Sequence, residues 1–104
     1  MNQAQFGMSA GKLQQAYDDE LRRLTLERFK AGETIIFWDT ATRHLLPVSG
    51  ECLSLCGEKR FPKFSTVRKI KSYNRAGFET LLPQLTEREV CDKCLNVIRE
   101  IVLK

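Results

Sequence analysis

The chain has 104 residues, 42% of them hydrophobic and 29% charged, and a formal net charge of +4. That length makes one domain with a modest core, small enough to gain noticeably from a staple. No apolar run approaches the roughly 20 residues of a membrane-spanning helix, so the composition reads as that of a soluble globular protein.

Residues 1–12 carry no apolar stretch of the kind a secretion signal needs. The expected setting is therefore the cytoplasm, where thiols stay reduced and cysteine spacing speaks for metal or redox chemistry rather than disulfides. After this polar start, residues 9–31 place Leu13, Ala16, Tyr17, Leu21, Leu24 and Phe29 at helical spacing, which predicts an amphipathic helix whose stripe covers a sheet. Gly32 follows where a helix stop is wanted. Asp18, Asp19 and Glu20 precede Arg22, Arg23, Arg28 and Lys30, the order that complements the helix dipole.

Residues 34–38 (Thr-Ile-Ile-Phe-Trp) and 43–48 (Arg-His-Leu-Leu-Pro-Val) are short β-prone runs separated by Asp39-Thr40-Ala41-Thr42, and together they predict a β-hairpin. Trp38, beside Phe37, reads as core. Ser49-Gly50 turns the chain into 51–57, where Leu53 and Leu55 alternate with Cys52, Ser54 and Cys56. Gly57 permits the positive φ that a metal-binding knuckle often needs. Residues 64–72 predict a further strand, and 73–77 a loop. From Thr86, with Glu89 placed for a capping box, apolar residues recur at helical spacing to the end of the chain. A helix starting at Thr86 puts Cys91 and Cys94 on one face. A start near Asp92 puts Cys91 in the entering turn.

Cys91 and Cys94 form a Cys-x-x-Cys pair, which lets both sulfurs reach one tetrahedral ion. Closing the site needs upstream ligands, and Cys52, Cys56 and the single histidine His44 are available. On an extended strand Cys52 and Cys56 stand about 13 Å apart at roughly 3.3 Å per residue, so they share an ion only if the chain folds back. His44 comes from a neighbouring strand about 5 Å away and reaches Cys56 without distortion. The favoured set is His44, Cys56, Cys91 and Cys94, with an all-cysteine set containing Cys52 as the alternative. Four protein ligands leave no open position, so a structural zinc is expected rather than a catalytic one. No βαβ pattern surrounds the Cys91 pair, which argues against a thioredoxin-like role.

His44-Leu45-Leu46, Cys56-Gly57 and Val90-Cys91-Asp92-Lys93-Cys94-Leu95 resemble the His…Cys-Gly…Cys-x-x-Cys-Leu pattern of small zinc-binding proteins common in bacteriophages and actinobacterial genomes. The resemblance covers residues 44–95, about half the chain. It implies that the histidine, the Cys of the Cys-Gly step and the closing pair hold zinc, and that the protein is encoded by a phage or mobile element. This chain departs from the pattern in its long basic insert between Cys56 and Cys91 and in its N-terminal helix and hairpin.

The charge is concentrated rather than spread. Residues 59–78 hold seven basic residues, Lys59, Arg60, Lys63, Arg68, Lys69, Lys71 and Arg75, and no acidic one, whereas the flanking segments are each net negative. Phe61, Phe64, Tyr73 and Phe78 are interleaved with them, offering phosphate neutralisation together with stacking faces. Ribonucleoprotein aromatic signatures, a Gly-x-x-Gly clamp and any hydrolase constellation are absent from the sequence. The expectation is a small α+β zinc-stapled domain, treble-clef-like or zinc-ribbon-like, acting as a non-enzymatic binding or regulatory module. Its partner would be nucleic acid or a nucleic-acid-handling protein, with a protein-binding inhibitor or adaptor of a host enzyme as the alternative.

Overall fold

The computed structural model describes residues 10–62 and 70–103. Lys63, Arg68 and Lys69, and most of the strand expected over 64–72, lie outside the described residues. The rest is α+β: helix α1 (Ala10–Lys30), strands β1 (Ile36–Asp39), β2 (Leu45–Leu46), β3 (Cys52–Leu53), β4 (Arg60–Phe61) and β5 (Ile70–Tyr73), helix α2 (Arg75–Leu81) running into a 3-10 turn (Leu82–Gln84), and helix α3 (Asp92–Val102).

The hairpin expected from 34–48 is present, with Phe37 opposite Leu46 and Trp38 opposite Leu45. β5 adds to its other edge, so an antiparallel sheet runs β2-β1-β5. Strand alternation then serves two cores at once. Ile36, Trp38 and Leu45 face the main core, with Phe29, Phe78, Leu95 and Ile98. Phe37 and Leu46 face a second cluster with Cys52 and Phe61. The second cluster is closed by a small hairpin in which Cys52 pairs with Phe61 and Leu53 with Arg60. These two-residue strands are too short for sequence periodicity to reveal them.

α3 covers the sheet with Cys94, Leu95, Ile98 and Val102, the i, i+4, i+8 stripe that its apolar residues spell out. Each large side chain on that stripe removes apolar surface worth about 1.5–3 kcal/mol. α3 takes the later of the two starts: Cys91 is its N-cap residue, and the helix begins at Asp92. Residues 86–90 form a turn instead. Thr86 and Glu89 do meet, Thr86 N–H donating to Glu89 Oε2 at 2.8 Å, but the carbonyls of Glu87 and Glu89 are taken by the Arg43 guanidinium (2.6 Å) and Trp38 Nε1 (3.2 Å) rather than by a continuing helix.

Two further expectations are corrected. Residues 75–77, read as loop, open α2: the Asn74 side chain accepts from Gly77 N–H at 2.9 Å as an N-cap, and a turn-prone Asn is equally a capping residue. Gly77 suits this position because a Cβ would sit 3.1 Å from that of Tyr73, a tight approach that the Tyr73 side chain would have to relax to admit. α1 ends as expected, with Gly32 at φ +79°, but its stripe docks only in part, through Phe29 in the main core and Leu21 against the second cluster. Leu13, Tyr17 and Leu24 are 56%, 60% and 46% exposed, while Asp18, Thr25 and Phe29 are buried. Polar contacts join the apolar ones on the docked face: Asp18 is ion-paired to Arg60 of β4, and Arg22 donates to the Leu55 carbonyl. Removing the Arg60 guanidinium while keeping its bulk, as in Arg60→Met, will leave Asp18 as a buried unpaired carboxylate. The expected loss is about 3 kcal/mol in denaturant unfolding.

Candidate metal centre

Three separate parts of the chain converge on one point. β2 is preceded by His44, the β3–β4 hairpin carries Cys56 at its tip, and the entry to α3 supplies Cys91 and Cys94. Their ligand atoms all lie within 4.8 Å of one another. His44 Nδ1 is 3.6 Å from Cys56 Sγ and 3.7 Å from Cys94 Sγ. A tetrahedral ion with bonds of about 2.3 Å to sulfur and about 2.0 Å to nitrogen has sulfur–nitrogen edges of about 3.5 Å. The four residues are therefore placed to hold a single metal ion, and His44 presents Nδ1 to it.

Local structure explains each placement. Gly57 takes φ +80° directly after Cys56, and Gly57 N–H returns to the Ser54 carbonyl at 2.9 Å, which curls the hairpin tip into the knuckle that Cys56-Gly57 foreshadowed. Arg43 adopts φ +69°, uncommon for a residue with a side chain. That turn lets its carbonyl accept from Cys91 N–H at 2.7 Å while its guanidinium holds Glu87. Arg43 thus ties the His44 segment to the Cys91 segment. Cys94 reaches the site from the first turn of α3, fully buried.

Around the sulfurs lie donors suited to thiolates. Leu45 N–H points to Cys94 Sγ at 3.4 Å, and the Ser54 hydroxyl is 3.2 Å from Cys56 Sγ. Burial raises the Cys56 pKa, yet bonding from Ser54, the Glu58 backbone, Cys94 and Cys91 outweighs it, leaving this thiol below its ordinary value. Burial pushes the Cys94 thiol up to about 12. His44 is held below its usual value, first by burial and then by the charges of Lys59 and Arg43, so the imidazole is neutral at pH 7 and ready to donate a lone pair. A metal must displace the protons of the three thiols to bind. Apparent affinity will therefore fall as pH is lowered, by up to about three decades per pH unit below the thiol range, one for each sulfur. His44 adds a further decline only below its depressed pKa, where protonation competes with the metal. Chelator competition between pH 5.5 and 8 measures both effects.

Cys52 stands apart. Its sulfur is 3.5 Å from the Val48 carbonyl, the residue is fully buried in the second cluster, and burial raises its pKa. The structure thus brings together His44, Cys56, Cys91 and Cys94 and leaves out the alternative ligand. All four cysteines are free thiols. His44→Ala will lower bound metal to well under half an equivalent, whereas Cys52→Ala will retain a full equivalent, as read by elemental analysis of the folded fraction.

The basic residues within the described chain are not equivalent. Arg60 is held by Asp18 and approached by Glu51 at 3.8 Å. Arg75 meets Glu79 at 3.4 Å and donates to the Lys30 carbonyl. Lys59 and Lys71 instead rest their ammonium groups 5.5 Å from the ring centroids of Phe61 and Trp38, and among the described residues neither forms an ion pair with a carboxylate. Both remain exposed. No described helix is long and apolar enough to cross a membrane. Searches with this chain found no matching protein-family model, no matching curated protein and no matching solved structure.

Proposed function

We propose that this protein is a zinc-stapled, non-catalytic binding module that contacts nucleic acid, or a complex that handles it, through its central basic segment. The observation that carries the metal part is the convergence of three thiols and a neutral imidazole within 4.8 Å. Soft sulfur ligands in tetrahedral array select zinc over hard cations. Four protein ligands fill the shell and leave no position for a substrate or an activated water. The ion's role is then to join the hairpin, the knuckle and α3. The Cys-Gly and Cys-x-x-Cys-Leu resemblance supports the same reading, and a phage or mobile-element setting rests on that resemblance.

The nucleic-acid part is supported by the charge segregation of 59–78 and by Lys59 and Lys71, whose exposed charges are not spent on carboxylates. Arg60 and Arg75 serve the fold and are poor candidates for phosphate contact. Anisotropy titrations with labelled DNA and RNA at two salt concentrations test this. Binding is expected to weaken as salt rises, and the double variant Lys59→Glu, Lys71→Glu is expected to reduce the slope of log K against log salt by about two. No binding at low salt rejects it.

A second reading, a protein-binding inhibitor or adaptor of a host enzyme, is favoured by the row Leu13, Tyr17 and Leu24. These residues lie on one exposed face of α1, where apolar side chains are the usual anchors for a partner.

A further inference from the structure

We infer that the metal centre is releasable by oxidation: a hydroperoxide converts Cys91 and Cys94 to a disulfide and frees the zinc, loosening the entry to α3. The inference rests on the zinc reading above and concerns how that same site is regulated.

The two sulfurs occupy unequal positions. Cys91 is the N-cap residue of α3 and only half-buried. Cys94 is three residues on, in the first turn, completely buried, with its sulfur beneath the Leu45 N–H. The less buried residue is the one placed to meet a small oxidant first and the fully buried one to resolve it, the two halves of a stepwise disulfide. The ligand atoms already lie within 4.8 Å of one another, so a shift of under about 3 Å brings the two sulfurs to the roughly 2.05 Å of a disulfide. Cys56 also reaches solvent, but it stands at the tip of the separate β3–β4 hairpin, whereas Cys91 and Cys94 share one three-residue step at the entry to α3.

In the first step the Cys91 thiolate attacks one peroxide oxygen. A sulfur–oxygen bond forms, the oxygen–oxygen bond breaks, and the departing hydroxide takes a proton to leave as water. In the second step the Cys94 thiolate attacks the Cys91 sulfenic sulfur, forming the disulfide and displacing hydroxide, which takes a second proton. The peroxide gains two electrons, one from each sulfur, and Zn2+ leaves unchanged in oxidation state because two of its four ligands are gone. Dithiol reductant and zinc restore the site, since disulfide formation stops short of the irreversible acids of cysteine.

The structural consequence reaches Trp38. Its indole Nε1 donates to the Glu89 carbonyl, two residues before Cys91, and Cys91 N–H is bonded to Arg43. Release of the ion frees this connection, and the only tryptophan of the chain reports it.

The test treats the full-length, metal-loaded protein with hydrogen peroxide while a chromophoric chelator reads zinc and Trp38 fluorescence is followed. Samples are then alkylated and mapped by mass spectrometry. Zinc is measured first: a folded protein without it overturns the zinc reading itself. With zinc present, one ion released per two thiols lost, a Cys91–Cys94 disulfide, a shift in Trp38 emission and recovery with dithiothreitol plus zinc are the expected results. Retention of zinc and all thiols under peroxide excess overturns the inference, as does release accompanied by a disulfide through Cys56 or by sulfinic acid. The Cys52→Ala variant, which leaves the four ligands in place, should give the same stoichiometry; if it does not, the oxidised pair is not the one assigned.

Discussion

Cys94→Ser will abolish metal binding and leave the chain without a cooperative unfolding transition at 25 °C. Structural zinc contributes about 10–16 kcal/mol of apparent binding free energy in small domains, whereas a domain of this size has a net stability of about 5–15 kcal/mol. Losing the ligand removes an amount comparable with the whole. The effect is larger at Cys94 than at the other ligands because the residue is also fully buried in the main core and sits against the Leu45 amide, so serine leaves a poorly partnered hydroxyl where sulfur had packed. Far-ultraviolet circular dichroism against temperature and elemental analysis check both halves. A variant that melts cooperatively near the parent temperature without metal would show that the core alone holds the fold.

The second large effect is expected at Phe78. The side chain is fully buried, with its ring 5.7 Å from Phe29 and 5.4 Å from Tyr73 in edge-on arrangements. It therefore joins the end of α1, strand β5 and helix α2 at one point remote in sequence from the metal ligands. Phe78→Ala deletes that junction and opens a cavity, a change that costs about 3–5 kcal/mol. In metal-saturated protein the transition should fall by about 15 °C or more, at roughly 4–8 °C per kcal/mol for a domain of this length. Metal stoichiometry should remain at one equivalent, which separates this variant from Cys94→Ser.

The contrast between these two sites shows which parts of the molecule were legible in the sequence. The ligands were legible because metal geometry limits spacing: Cys91-x-x-Cys94 fixes one edge of a tetrahedron, and Cys56-Gly57 marks a knuckle, although His44 and Cys56 meet across two separate sheets rather than on neighbouring strands as expected. α1 and the hairpin were legible from apolar periodicity and from Gly32. The orientation of α1 was legible only in part, because periodicity places Phe29 and Leu21 inward but misses the pairing of Asp18 with Arg60, residues 42 positions apart. Arg60, read as part of a basic stripe, also supplies the counter-charge to buried Asp18.

The β3–β4 hairpin and the 86–90 turn escaped the sequence for a different reason. Each is held by bonds to distant partners, such as Leu55 N–H to the Leu45 carbonyl and Trp38 to Glu89, and neither is long enough to repeat a pattern. α2 was hidden by ambiguity: Asn74 serves turns and N-caps alike, and Gly77, which usually disfavours helix, is there to admit Tyr73.

Two surfaces remain for the module's task, the lysines of the basic segment and the apolar row on α1, and the salt dependence of nucleic-acid binding discriminates between them. Both depend on the same scaffold, in which His44, Cys56, Cys91 and Cys94 are placed to join three segments at one metal ion.

The metal content of the protein purified without added zinc therefore tests the account at its root. Elemental analysis of a folded, monodisperse sample should find about one zinc per chain, as a filled four-ligand structural site requires. Less than about half an equivalent of any metal, in a sample that still unfolds cooperatively, would contradict it, because a metal whose binding free energy is folding free energy cannot be missing from a folded chain.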